Sequence, residues 1–155
     1  MHQSYRYAIM YFTIFATLLL LSGAVLFVSK LGVSYESIKL FYLGSAEQFC
    51  QPKSNFGLLE TALPHFGAMG LLVFVIGHFL LFSPKQERQR AVLPALVMFG
   101  AALLDIASGF IIVNGWTFFI WIKMAAFLTL QTVGIYLLYL VFKSTLIGIQ
   151  KQAVK

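Results

Sequence analysis

Charge is scarce in this sequence. Asp, Glu, Lys and Arg make up 10% of its 155 residues, against roughly 25% in soluble proteins. A water-soluble globule of this length needs far more charge to cover its surface. The shortage excludes a soluble enzyme, a nucleic-acid-binding module and a disordered tail. Cysteine is nearly absent: Cys50 stands alone, which excludes an internal disulfide and a cysteine-based metal site. Acidic residues number five against eleven basic ones, a net charge of +6. The basic residues form no patch; they lie between apolar runs, which is a signal of membrane topology and not of a polyanion partner. No internal repeat and no nucleophile–base constellation is present.

What fills the sequence is apolar: 60% hydrophobic residues and a mean hydropathy of +0.87. Four stretches, 8–28, 56–82, 91–113 and 116–142, reach the ~20 apolar residues that cross a bilayer. The first is longer than the apolar core of a signal peptide and has no small-residue cleavage pattern after it, so it reads as a span. The expected fold is an all-α membrane protein: a single domain over residues 1–155, built as a four-transmembrane-helix bundle. Lys and Arg in the short connections set its orientation. Arg6, Lys85, Arg88, Arg90, Lys143, Lys151 and Lys155 mark one side, and Lys30, Lys39 and Lys53 the other. Both termini and a loop at 83–90 are then cytoplasmic. The outer side carries the long loop 29–55 and a tight turn at Asn114-Gly115, with Trp116 and Trp121 as interfacial aromatics.

The outer loop holds its own element. Ser34 is placed to N-cap a helix over 35–43, and Gly44 to end it. Ile38, Phe41 and Tyr42 give that helix an apolar face, with Glu36 and Lys39 opposite. Such a helix is expected to lie on the outer membrane surface, as an anchor there or, alternatively, as a lid over the bundle.

Ionisable residues inside spans are expensive and point to function. They are Glu60, His65, His78, Asp105 and Lys123. At 1.5 Å per residue, Asp105 lies roughly 13 Å below the outer end of span three and Lys123 roughly 10 Å below that of span four. Those spans are antiparallel neighbours, so the two residues are expected to form an intramembrane ion pair. Its plain reading is a device that fixes helix register; its functional reading, with Glu60, is proton, propionate or quinone handling. Pro64, just before His65, is expected to kink span two and open a small polar cavity near His65, Asp105 and Lys123, with Tyr42, Trp116 and Trp121 at its rim.

His65 and His78 share span two and lie roughly 20 Å apart along its axis, one toward each leaflet. That is the layout of a helix offering one axial ligand to each of two stacked haems. The rotation between them is about 220°, so they face opposite ways. One stripe carries Glu60, Gly67, Gly70, Phe74 and His78; the other carries His65, Met69 and Ile76. No other span contains a histidine, so haem b would need His/Met ligation, His78 with Met98 and His65 with Met124, or a histidine from a second subunit. The plain reading of both histidines is hydrogen-bonding core residues, and of both methionines, packing.

Phe41-Tyr42-Leu43-Gly44, Pro52-Lys53-Ser54, Leu58-Leu59-Glu60, His65 and His78, continuing weakly through Leu104-Asp105 and Lys123 to Gln131, carry a resemblance. The chain resembles a group of uncharacterised, small four-span inner-membrane proteins of proteobacteria. In that group a further histidine often stands two residues before the first; here Leu63 occupies that position. The resemblance implies a four-span membrane protein and brings no activity with it. The expected function is a membrane-embedded, cytochrome-b-like electron-transfer subunit exchanging electrons with quinone. The alternatives are a non-catalytic assembly or partner subunit, as a homodimer or in a larger complex, and a small-solute transporter.

Overall fold

The computed structural model describes residues 3–153 except 48, 82 and 84, with side chains described between residues 4 and 145. Five helices follow one another: α1 (Gln3–Leu31), α2 (Tyr35–Leu43), α3 (Asn55–Leu81), α4 (Lys85–Val113) and α5 (Phe119–Ala153). Four of them, all but α2, are long and apolar enough to cross a membrane. Among the described residues there is no strand, only a single antiparallel bridge between Ser45 and Cys50. The expected all-α four-span bundle is the architecture found.

The spans alternate in direction, which leaves one end of the bundle with the termini and the other with α2. The largest interface is between α4 and α5; α3 packs on α4, and α1 packs on α5. Leu20, Ile76, Met98 and Leu137, one from each span, are fully or almost fully buried in the main core. Gly134 lets α5 approach its neighbours closely: a Cβ there would stand 2.9 Å from Leu20 Cδ1 and 3.3 Å from Met98 Cε. Phe27 and Phe127 stack at 3.8 Å between α1 and α5.

Helices run past the apolar stretches: α1 covers Gln3–Leu31 and α5 continues to Ala153; two further boundaries differ from expectation. The polar stretch 85–90, expected as a loop, is the first turns of α4. Its Gln, Glu and Arg residues are good helix formers with no glycine among them, and Glu87 sits in the first turn, where the helix dipole favours an anion. Conversely, α5 starts at Phe119 and not Trp116, because the turn after α4 runs on through Phe118. Phe82, expected to close the second span, lies outside the described residues, as do His2 and the side chains of Lys151 and Lys155.

The loop helix is bounded as its sequence suggests. Ser34 caps α2, its hydroxyl accepting from the Ser37 amide at 3.1 Å, while the Ser37 hydroxyl accepts from the Ser34 amide at 3.2 Å. At the other end Gly44 takes φ 68°, and its amide donates to the Leu40 carbonyl at 2.9 Å. A Cβ at Gly44 would collide with the Cys50 carbonyl oxygen, so the close return of the chain requires glycine here. The helix takes the second of its expected positions, over the bundle. Its apolar face does not rest on a membrane surface: Ile38 and Tyr42 pack against Ile112 of α4 and Ile120 of α5. The α2 helix closes that end of the bundle, with Glu36 and Lys39 exposed on top.

Candidate functional site

The site lies directly beneath α2. Lys123 Nζ of α5 donates to Asp105 Oδ1 of α4 at 2.9 Å and to the Asp105 backbone carbonyl at 2.8 Å. Their side chains are 7% and 12% exposed. Two charges this deep are tolerable only when paired and hydrogen-bonded. The second bond explains how one lysine fits: its ammonium satisfies the carboxylate and also reaches the main chain of the facing helix. Ser108, one turn on, donates its hydroxyl to the same carbonyl at 2.8 Å.

The third partner comes from the loop. Tyr42 enters from α2, is 5% exposed, and lies with its ring centroid 5.8 Å from the Lys123 ammonium. Gly109 makes room for it, since a Cβ there would stand 3.3 Å from the ring and from the hydroxyl oxygen. Burial pushes the Tyr42 hydroxyl above its ordinary pKa; the nearby Lys123 ammonium pulls it down less strongly, and Asp105 adds to the rise. The aromatic was expected at the rim of an open cavity. It instead fills the space above the ion pair, so the pair is sealed and not bathed. The missed signal was Gly109, a gap one turn from Asp105 that faces an incoming ring.

The remaining candidates do not gather here. Among the described residues, neither Glu60 nor His65 makes a hydrogen bond or ion pair with Asp105 or Lys123. The two stripes read from the helical period of α3 are present: Met69 and Ile76 are buried and His65 half-buried, while Glu60, Gly67, Phe74 and His78 are exposed. Glu60 thus shares the outward face of His78. The His78 ring lies 6.5 Å from that of Phe74 and 6.3 Å from that of Phe79. Positions for a Cβ on Gly67, Gly70 and Gly77 meet nothing within 4 Å.

Both methionines point into packing. Met98 is wholly buried, its methyl close to Gly134 of α5. Met124 packs in the cluster under α2. The inward stripe of Met98 with Ala101, Asp105 and Gly109 is as the helical period requires. Between α3 and α4 there is a cavity of about 30 Å³, lined in part by Met69, Gly70 and Phe99, which has room for about one water. Among the described residues no group of three His, Cys, Asp or Glu side chains could hold a metal ion.

A second ion pair closes the opposite end of the α4–α5 interface. Lys143 Nζ donates to Glu87 Oε1 at 2.8 Å, with Glu87 buried and Lys143 partly exposed. Glu87 precedes Asp105 by eighteen residues and Lys143 follows Lys123 by twenty. At 1.5 Å per residue the two bridges stand roughly 27–30 Å apart, about the thickness of a bilayer core. The depth matching that found the first pair would have found this one had 85–90 been read as helix.

No curated protein and no solved structure matches the chain. Residues 32–153 match the Aq_1264_TM family, described as a transmembrane helical domain. The matched stretch holds α2 to α5, and so the loop helix, both ion pairs and the α3 histidines. The chain therefore belongs to the Aq_1264_TM family of transmembrane helical domains.

Proposed function

We propose that this protein is a non-catalytic partner subunit of a larger membrane assembly, held in the cell membrane of a bacterium with both termini cytoplasmic. One observation carries the reading: four of the costly charges within the bundle are spent on each other. Asp105 and Lys123 pair beneath α2, and Glu87 pairs with Lys143, which fixes the register of α4 against α5. Such pairs specify geometry, and the Asp105–Lys123 pair is closed to solvent. A solute pathway through Asp105 and Lys123 would need water to reach them, and Tyr42 stands in the way. The polar residues turned outward, Glu60 and His78, share one face of α3, where a polar group is favoured by a neighbouring chain over lipid. The orientation rests on the excess of Lys and Arg at the termini end.

The test is a photo-reactive residue in place of Phe74, exposed on that face, illuminated in native membranes. A discrete protein adduct is expected; adducts with lipid alone would refute the reading.

A second reading, haem-based electron transfer with quinone as exchange partner, draws on the same face. His78 is exposed there, and the open space over Gly67, Gly70 and Gly77 leaves the backbone approachable. Haem b held by His78, and by His65 toward the other leaflet, would take its second ligands from another chain, since Met98 and Met124 are engaged in packing. A reduced-minus-oxidised spectrum decides it: absence of haem bands from haem-competent cells rejects the reading, and His78→Ala should remove at least one centre.

A further inference from the structure

At the end of α1 a cleft of about 680 Å³ opens between that helix, α2 and the segment from Cys50 to Lys53. Its size falls within the ~300–1,000 Å³ range of small-molecule sites. The lining includes Ser29, Lys30, Ser37, Phe41, Gln51 and Lys53, with two ammonium groups and no carboxylate. The walls are fixed. Lys53 is tied by its amide to the Tyr42 carbonyl at 2.9 Å, and its ammonium stands 5.0 Å over the Phe41 ring. Its stem and charge are therefore held in place ahead of any ligand. Lys30 lies in the last turn of α1, the boundary between apolar span and water. Directly below, Leu18, Leu21, Val25 and Val28 share one exposed face of α1, an apolar strip that starts at the cleft-lining Val28 and runs into the bilayer.

We propose that this cleft binds the phosphate of an anionic phospholipid headgroup, with Lys30 and Lys53 as its cationic contacts and the acyl chains laid along the exposed face of α1. A phosphate needs charge and hydrogen-bond donors in one place; the two ammoniums and the Gln51 side-chain amide supply them. The location selects a lipid over a dissolved anion, because the ligand's apolar part has a surface ready at the correct depth. Basic residues at a membrane surface strengthen such binding by roughly five-fold each.

Native mass spectrometry of the delipidated full chain, titrated with phosphatidylglycerol or phosphatidylcholine, reads the preference. Retention of phosphatidylglycerol over phosphatidylcholine is expected, falling roughly 25-fold in Lys30→Gln/Lys53→Gln, on the same per-lysine increment. The Lys30→Arg/Lys53→Arg protein should keep it, and Lys39→Gln, outside the cleft on the exposed side of α2, should leave it unchanged. Equal retention of the two lipids, or an equal loss in Lys39→Gln, would overturn the site. Displacement of phosphatidylglycerol by inorganic phosphate at comparable concentration would overturn the lipid as its ligand.

Discussion

Lys123 is the residue on which most of the loop end depends, because it joins a carboxylate and a main-chain carbonyl of α4 to an aromatic ring of α2. Asp105→Ala strands its charge in an apolar interior and should destabilise the protein by ~3–5 kcal/mol. Replacing both residues with Leu and Met should cost much less, since no charge is then left unpaired. Denaturant or thermal unfolding in one detergent compares them, and equal losses would mean the pair carries no coupling. Tyr42 offers a pH test. Its raised pKa means that the folded state resists ionisation of the hydroxyl. The stability it contributes is complete below about pH 10, where an exposed tyrosine ionises, and is lost as pH climbs through the higher value of Tyr42. Phenolate absorbance of the wild type minus that of Tyr42→Phe should therefore rise later than the bulk of the tyrosines. At this scale the sequence disclosed Asp105 and Lys123 because a short turn makes depth arithmetic reliable. It placed Tyr42 only at the rim of the site, because the ring's contact with Lys123 depends on a loop folding back over helices that are distant in sequence. Polarity grouped Glu60 with the pair, though the helical period puts Glu60 on the outward stripe with His78.

Among the elements, α2 is the one whose limits were plainest and whose position was least so. Ser34, Ser37 and Gly44 act locally, and local chemistry is readable; whether Ile38 and Tyr42 face lipid or protein depends on what lies beneath. Ser34→Ala should cost ~1 kcal/mol of α2 stability. Faster amide exchange over 35–43, with spans unaffected, is the expected result. The α4–α1 contact through α5 is set by Gly134. Gly134→Ala asks Leu20 and Met98 to give way, an overpacking penalty of ~1–3 kcal/mol, visible as a lower Tm without loss of helicity. The start of α4 escaped the sequence because hydropathy finds the apolar part of a helix, whereas Glu87 and its neighbours extend the same helix into polar territory.

For the molecule as a whole, composition was sufficient to establish a helical membrane bundle, since hydrocarbon leaves the backbone few other solutions. It was silent on which faces meet, because lipid-facing and core-facing residues are equally apolar: Leu71 and Leu72 differ in burial but not in chemistry. The register of the bundle is set where polarity interrupts that uniformity, at the two ion pairs. The first of them also bears on how the chain enters its membrane. A lone Asp or Lys near the middle of a helix opposes partitioning by about 2.5–3.5 kcal/mol. Spans α4 and α5 each carry one such residue, and a turn of a few residues joins them. Neither is well suited to leave the translocon alone; together, with charge already neutralised, they form a hairpin that is. A glycosylation-mapping assay should find α4 and α5 inserting more efficiently as a joined pair than either does singly, with the advantage lost in Lys123→Glu. The pair that holds two helices in register in the finished protein would then first have served to bring them in as one unit.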